Sequence, residues 1–206
     1  AVYPSGVTNF AYDARRTLAA DSKQLIGTAA ARLIPDNSSI ILNIGTTTEQ
    51  VALALRRHQG IMAITNNINV ANILRDAPSA EVVIAGGVVR HSDGGIMGEA
   101  TVDFIRQFKV DFAVIGASAI DRAGSILDYD FREVKVSQAI IAQARKTILV
   151  SDSLKFERTA PVRIADLSMI DVFVTEVEPP REIIDYCRAH DVELIITGPA
   201  AAEQAA

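Results

Sequence analysis

The sequence predicts an α/β fold in which helices cover both faces of an open, mostly parallel β-sheet. Short runs of β-branched and other apolar residues recur along the 206-residue chain, and segments with helical spacing separate most of them. These runs do not alternate with polar residues, which is typical of strands buried on both faces. Strands and helices that alternate in this way favour parallel pairing through right-handed crossovers.

The predicted elements follow one another at short intervals. Apolar runs predict strands at residues 40–43, 61–65, 81–85, 113–116, 147–151, 172–175 and 193–197. Apolar residues at helical spacing predict helices at 49–57, 67–75, 99–108, 131–145 and 181–190. A leading helix is expected over residues 9–33, because Leu18, Leu25 and Leu33 share one face before Pro35 ends the pattern. The tail at 200–206 is expected to fray.

Composition and charge exclude several classes of protein. With 49% hydrophobic residues the chain can bury a sizeable core, so we expect one large domain, with or without a small subdomain, and exclude general disorder. Its apolar runs are too short to cross a membrane and no secretory signal is visible, so we expect a cytoplasmic protein without membrane contact. The formal net charge of −5 argues against a nucleic-acid-binding surface on this domain.

Common cofactor and metal sites lack their sequence signatures. The chain contains neither G-x-x-x-x-G-K-[ST] nor G-x-G-x-x-G after a strand, which argues against a P-loop NTPase and a dinucleotide-binding Rossmann site. His58, His91 and His190 share no metal-ligand spacing with Cys187, so we expect surface or capping histidines and no metal. The single cysteine is expected to be a packed thiol without a disulfide partner.

The clearest functional signal follows the first predicted strand. Gly45, Thr46, Thr47 and Thr48 lie between that strand and the start of a helical pattern. Glycine allows the backbone to approach a ligand closely, and the free N–H groups of a helix N-terminus favour a phosphate or carboxylate. The alternative is a capping box formed by Thr46 and Glu49, which requires no ligand.

Four further predicted strands also end in small or polar residues. The segments that follow them are Thr65, Asn66 and Asn67; Gly86 and Gly87; residues 116–118; and residues 151–155. Because parallel strands present their carboxyl ends at one edge of the sheet, these segments predict a pocket there. An Asn helix cap and an ordinary tight turn are the alternative explanations for the first two segments.

Charged side chains near this edge are candidates for the rest of a ligand site. Lys155 and Arg132 could each supply a positive charge to a phosphate, and a solvated loop lysine is the alternative for Lys155. Carboxylates cluster at Asp121, Asp128, Asp130 and Glu133. Two of them beside a sugar phosphate would suit hydroxyl binding or general-base proton transfer.

Several motifs, in their order along the chain, resemble the DeoR family of transcriptional regulators. They are the segments at 44–47, 64–67, 85–87, 93–100 and 152–156, which read IGTT, ITNN, AGG, DGGIMGEA and DSLKF. The resemblance is to the C-terminal effector-sensing domain of that family and runs from about residue 21 to residue 178. Residues 67–72, 93–100 and 127–134 most resemble the branch that controls the use of glycerol 3-phosphate.

The resemblance implies a fold, an effector and a set of site residues. The fold would be like that of ribose-5-phosphate isomerase and glucosamine-6-phosphate deaminase, but the domain would sense glycerol 3-phosphate or a similar phosphorylated metabolite without catalysis or a cofactor. By position in the motifs, the phosphate would be bound by Gly45, Thr46, Thr47, Thr48 and Lys155. The polyol part would contact Thr65, Asn66, Asn67, Gly86, Gly87, Asp121, Arg132 and Glu133.

The resemblance also implies a domain organisation and partners. Residues 1–20 are expected to be a linker remnant with the start of the leading helix, and residues 21–206 the sensing domain. The N-terminal winged helix-turn-helix of the family is expected to be absent from this chain, so that operator DNA is reached only through that missing part. Self-association into a homo-oligomer is also expected.

Two alternatives from other functional classes stay open. The segment Arg132-Glu133-Val134-Lys135 resembles the acid-bearing helix start of sugar-phosphate isomerases, whereas residues 116–121 contain one acid where those enzymes have an acidic cluster. An oligomerisation domain with a vestigial pocket would bind no ligand at all.

Overall fold

The computed structural model describes residues 12–198, in which strands and helices alternate. The strands are β1 (Ser39–Leu42), β2 (Ile61–Thr65), β3 (Ala80–Ile84), β4 (Val88–Val89), β5 (Ile96–Met97), β6 (Val110–Ile115), β7 (Ala119–Ile120), β8 (Ser125–Asp128), β9 (Ala144–Val150), β10 (Val162–Asp166), β11 (Val172–Thr175) and β12 (Glu193–Ile196). The α-helices are α1 (Tyr12–Thr17), α2 (Ala20–Arg32), α3 (Thr46–Leu55), α4 (Ile68–Leu74), α5 (Glu99–Ile105), α6 (Phe131–Gln143) and α7 (Arg181–Ala189), and two 3₁₀-helices occupy Ser153–Glu157 and Leu167–Met169. The longest helices, α2 and α6, have 13 residues each, so none of the helices in this range has the length to cross a bilayer.

The main sheet has seven strands in the order β12-β11-β9-β6-β1-β2-β3. Every neighbouring pair in it is parallel, which confirms the predicted parallel sheet. The predicted strand bounds match the structure at β2 and β11, and the remaining strands differ from their predicted bounds by one to three residues at an end.

Helices pack on both faces of this sheet because successive strand residues point to opposite sides. Ile41, Ala113 and Ile115 belong to the core on one side, which also contains side chains of α5, α6 and α7. Ile40 and Val114 belong to the core on the other side, together with side chains of α2, α3 and α4. The predicted three-layer arrangement is therefore confirmed. The free thiol of Cys187 is buried in the first core, where burial raises its pKa.

The predicted leading helix is wrong as a single element. It divides into α1 and α2 at Ala19, whose φ of 54° is left-handed. Lys23 stabilises the break, because its buried ammonium donates hydrogen bonds to the carbonyl oxygens of Arg15 and Leu18. Leu18 and Leu25, which belong to the apolar spacing of the predicted helix, are 39% and 46% exposed. Residues 9–11 of the prediction lie outside the described part of the chain.

Two smaller sheets were not predicted; their strands have two to five residues. Strands β10, β8 and β7 form an antiparallel sheet, and β4 pairs with β5. The turn between β7 and β8 depends on Asp121, whose Oδ1 accepts hydrogen bonds from the N–H groups of Ala123 and Ser125 at 3.0 and 2.8 Å.

An ion-pair network joins the β4–β5 segment to the start of α6. The guanidinium of Arg90 binds Asp93 through two hydrogen bonds of 2.7 and 2.6 Å. The same side chain lies 2.7 Å from a carboxylate oxygen of Glu133 and 3.5 Å from one of Asp130. Asp93 and Glu133 are largely withdrawn from water, with side-chain exposures of 2% and 11%, so Arg90 neutralises two carboxylates that solvent reaches poorly.

We expect the variant Arg90→Ala to lower the free energy of unfolding by about 3 kcal/mol, because it leaves buried carboxylates without a counter-charge. Urea unfolding at neutral pH would measure this loss. The matched control is Arg122→Ala, which removes an ion pair with Glu182 on the surface and is expected to leave the midpoint close to that of the wild type. Equal midpoints for the two variants would contradict the structural importance of the Arg90 network.

Candidate functional site

A cleft opens at the carboxyl ends of β1, β6 and β9. In the sheet order β1 lies between β6 and β2. The chain therefore continues from β1 to β2 on one side and later forms β6 on the other side of β1. Ligands of open α/β sheets bind at such a reversal of strand order. The cleft is lined by Arg15, Ile44, Gly45, Thr46, Thr47, Thr48, Gly116, Ala117, Ser118, Asp128, Glu133, Val150 and Lys155.

The N-terminus of helix α3 forms one wall of the cleft. The first helical hydrogen bond runs from the N–H of Glu49 to the carbonyl of Gly45, so the preceding N–H groups have no partner within the helix. The Thr48 side chain is fully buried, and its hydroxyl makes no hydrogen bond to any residue in 12–198. A Cβ atom at Gly116 would come within 3.7 Å of this hydroxyl, so glycine leaves the adjacent space open. This wall offers several unpaired donors to an anion.

The capping-box alternative is not observed. The helix begins one turn earlier than predicted, with Gly45 at the N-cap position at a φ of 149° and no side-chain capping bond. Glu49 instead accepts hydrogen bonds from the Tyr12 hydroxyl at 2.9 Å and from the Asn69 amide at 3.0 Å. The hydroxyls of the threonines therefore do not have to serve as caps.

Two basic side chains reach the same cleft. Lys155 lies in the 3₁₀-helix that follows β9, and burial lowers the pKa of its ammonium to about 8. Arg15 enters from helix α1 and was not predicted as a site residue. Its position had no signal in the sequence, because it lies far from every strand end and reaches the cleft only through the docking of α1.

Two carboxyl groups, Asp128 and Glu133, line the cleft as well. Burial raises the pKa of both groups, and for Glu133 the neighbouring Asp128 raises it further. Asp128 accepts a hydrogen bond from the Tyr129 N–H at 2.6 Å and another from the Ser118 hydroxyl. Carboxyl groups of this kind accept hydrogen bonds from hydroxyls when ionised and donate one when protonated. The sequence marked Asp128 only as part of an acidic cluster and Ser118 only as part of a strand-end loop.

The three polar residues after β2 are used inside the fold. The Thr65 hydroxyl donates to the Leu42 carbonyl at 2.7 Å, and the Asn66 amide donates to the Ile96 carbonyl at 3.2 Å. The Asn67 side chain caps α4 by accepting a hydrogen bond from a backbone N–H at 2.8 Å, as the capping alternative expected. None of the three residues lines the cleft, and Asn66 Oδ1 and Asn67 Nδ2 are buried without a hydrogen-bond partner among residues 12–198.

The other residues expected to contact a polyol also lie away from the cleft lining. The Gly86 carbonyl accepts a hydrogen bond from Thr101 at 2.9 Å, and Gly87 packs closely against the same side chain. Asp121 is occupied by the β7–β8 turn, and Arg132 is exposed and paired with Asp130 at 2.9 Å. The structure thus brings residues 45–48, Lys155 and Glu133 together, and it separates the remaining predicted contacts from them.

The histidines have local roles within the described part of the chain. His190 ends α7 and stacks on Tyr186 with ring centroids 4.2 Å apart. A ring nitrogen of His58 lies 3.1 Å from the carbonyl of Ala31 in the last turn of α2. His91 is exposed in the loop between β4 and β5.

Known proteins share both the sequence and the fold. Residues 18–177 match the DeoR C-terminal sensor domain. The chain is 44% identical to the glycerol-3-phosphate regulon repressor of Haemophilus influenzae and 40% identical to that of Escherichia coli K12, and the alignments cover 95% and 94% of this chain and 76% and 77% of the relatives. Ribose 5-phosphate isomerase A of Methanocaldococcus jannaschii has a similar fold, with a TM-score of 0.50 at 14% identity over 67% of this chain and 55% of that one.

The expectation from the sequence motifs is confirmed by these matches. The sensor-domain match extends over most of the chain, and the relatives that cover it nearly completely are named as transcriptional repressors. The chain belongs to the DeoR family, of which it contains the C-terminal sensor domain.

Proposed function

We propose that this domain binds a phosphorylated small polyol, glycerol 3-phosphate or a close relative, and that binding relieves repression by the full-length regulator. One observation carries the proposal: the open N-terminus of α3, with the buried unpaired hydroxyl of Thr48, faces Lys155 across the same cleft. The name of the similar repressors, which refers to a glycerol-3-phosphate regulon, supports this choice of effector.

The phosphate is assigned to the basic side of the cleft. The N–H groups at residues 46–48 and the positive end of the α3 dipole favour negative charge, and the threonine hydroxyls add further donors. Lys155 supplies a full positive charge whose burial is unfavourable until an anion joins it. A phosphate at this place would satisfy groups that otherwise lack partners.

The hydroxyls of the polyol are assigned to the opposite side. Asp128 and Glu133 line the cleft together with Ser118, and carboxylates are good acceptors for vicinal hydroxyls. The ion pair with Arg90 holds the Glu133 carboxylate in position even without a ligand. A compound with both a phosphate and hydroxyls would therefore use both sides, whereas phosphate or glycerol alone would use one.

Regulation would follow from different affinities of two protein states. The effector can shift an equilibrium only by the difference between its binding free energies to those states. We infer a cytoplasmic homo-oligomer in which the effector-bound state no longer holds the DNA-binding parts in register with the operator. Operator DNA would be contacted by those parts and not by this domain.

A sugar-phosphate isomerase is the second candidate, favoured by one observation. Asp128 and Glu133 are adjacent carboxyl groups with raised pKa, an arrangement suited to general acid–base chemistry. The repressor names of the similar proteins favour sensing. A coupled assay over pentose and hexose phosphates separates the two, because turnover that disappears in Glu133→Gln would establish catalysis in place of sensing.

We expect thermal stabilisation by glycerol 3-phosphate, or by one related compound in a panel of sugar phosphates, and little by inorganic phosphate or glycerol alone. A ligand at about 100 times its Kd adds roughly 2.7 kcal/mol to the folded state, which a melting experiment resolves. A flat panel would count against the sensor and favour an oligomerisation domain with a vestigial pocket.

The variant Lys155→Ala is expected to weaken binding of glycerol 3-phosphate by about 1–3 kcal/mol, the usual loss for a charge-assisted hydrogen bond. Isothermal titration calorimetry would measure the change. The matched control is Lys109→Ala, which removes an exposed lysine bonded to the Ala142 carbonyl and should bind like the wild type. Wild-type affinity in Lys155→Ala would remove this residue from the site.

Affinity is also expected to fall as the pH rises above about 8. The pKa of Lys155 in the free protein is lowered to about 8, so above that pH an anion must bind together with a proton. Phosphate esters are already dianionic there, since their second pKa is about 6. Calorimetry in two buffers of different ionisation enthalpy would detect the proton uptake, and Lys155→Ala should lose it. A wild-type affinity that is constant across this pH would contradict the assignment.

A further inference from the structure

The geometry of Arg15 is that of a side chain held ready for a ligand. Its Nη2 lies 3.2 Å from Asp93 Oδ2, while its Nε is buried and has no hydrogen-bond partner among residues 12–198. The side chain is 17% exposed and lines the same cleft as Thr48 and Lys155. One donor of the guanidinium is thus occupied, and Nε is unpaired in a side chain that lines the cleft of the proposed phosphate.

Asp93 orients this arginine. Its carboxylate receives two hydrogen bonds from Arg90 and a third, at 3.2 Å, from the N–H of Gly95. These contacts hold the carboxylate in one position, and Arg15 binds the oxygen that faces α1. Because a guanidinium has five donors in a rigid fork, Arg15 can bind Asp93 and an anion at the same time.

Helix α1 is attached to the domain by several polar contacts. None of its residues is buried. The Tyr12 hydroxyl binds Glu49, Arg15 binds Asp93, and the ammonium of Lys23 binds the carbonyl of Arg15. A helix of six residues without a buried face has little stability of its own, so its position depends on these few bonds.

We propose that Arg15 is an effector-binding residue, and that its hydrogen bond from Nε to the bound phosphate fastens helix α1 over the cleft. The proposal rests on the proposed function, since it requires an anion in the cleft. Arg15 adds a ligand contact that comes from helix α1 and not from a strand end. This contact links the effector to the segment that precedes the sensor domain. Binding of the effector in the cleft thereby fixes the position of helix α1.

The variant Arg15→Gln tests the ligand contact. Calorimetry of the 206-residue chain with glycerol 3-phosphate should show roughly 10- to 100-fold weaker binding, as expected for loss of a charge-assisted hydrogen bond. Arg16→Gln is the matched control, because it removes an equal charge from the neighbouring, exposed position of the same helix and should leave affinity unchanged. Without ligand, both variants should melt at the wild-type temperature. If Arg15→Gln melts at a lower temperature, Arg15→Lys is used in its place.

Hydrogen exchange tests the fastening of α1. Saturating glycerol 3-phosphate should slow exchange of the amides at residues 46–49 and of the Leu18 amide, which is bonded to the Ala14 carbonyl. In Arg15→Gln, saturating ligand should still protect residues 46–49 but no longer protect α1. Protection at residues 46–49 without protection of α1 in the wild type, or wild-type affinity in Arg15→Gln, overturns this inference and leaves the proposed function standing. Absence of any binding to the wild type overturns both.

Discussion

Burial of the parallel sheet on both faces is the constraint from which the rest of the structure follows. After each parallel strand, the chain must return to the end of the sheet at which that strand began. The crossovers that make this return carry helices, which cover the faces of the sheet. The carboxyl ends of β1, β6 and β9 consequently meet at one edge. Helix α3 begins there, directly after β1, and its unpaired N–H groups open into the cleft for the same reason. The open N-terminus of α3 is therefore a consequence of the topology and of a glycine at the N-cap.

The cleft combines charges that would otherwise be unfavourable when buried. Lys155 and Arg15 lie near Asp128 and Glu133 in a region that water reaches poorly. Arg90 compensates the acids by binding Glu133 and Asp93, and Asp93 in turn orients Arg15. Through these contacts the β4–β5 segment, α6 and α1 share one network, so a ligand in the cleft touches parts of the chain that are distant in sequence. Two donors of residues that line the cleft, the Thr48 hydroxyl and Arg15 Nε, have no partner among residues 12–198, and the proposed anion would satisfy them.

The similarity of the fold to ribose 5-phosphate isomerase illustrates how one framework accommodates different functions. The fold provides strand ends that meet at one edge of the sheet, whereas catalysis or sensing depends on the residues placed there. In this chain Asp128 at the end of β8, Glu133 in α6, Lys155 in the 3₁₀-helix after β9 and Arg15 in α1 line the cleft. If the proposed effector binds there, the polar contacts of α1 give it a way to change the position of that helix.

The sequence by itself determined the features that depend on neighbouring residues. Strands β2 and β11 match their predicted bounds because a short apolar run surrounded by polar residues specifies a buried strand locally. The segment of glycine and threonines after β1, and Lys155 after β9, were identified because strand ends must meet at one edge.

Tertiary structure alone decided the features that depend on distant contacts. Arg15 enters the cleft because Asp93, 78 residues away, binds it, and the helix predicted as one element breaks where Lys23 binds carbonyls of the preceding turn. Thr65, Asn66 and Asn67 look like ligand contacts in the sequence, yet none of them lines the cleft, and each makes a hydrogen bond to nearby backbone. A local pattern specifies which polar groups are available, but only the folded chain specifies which of them already have a partner.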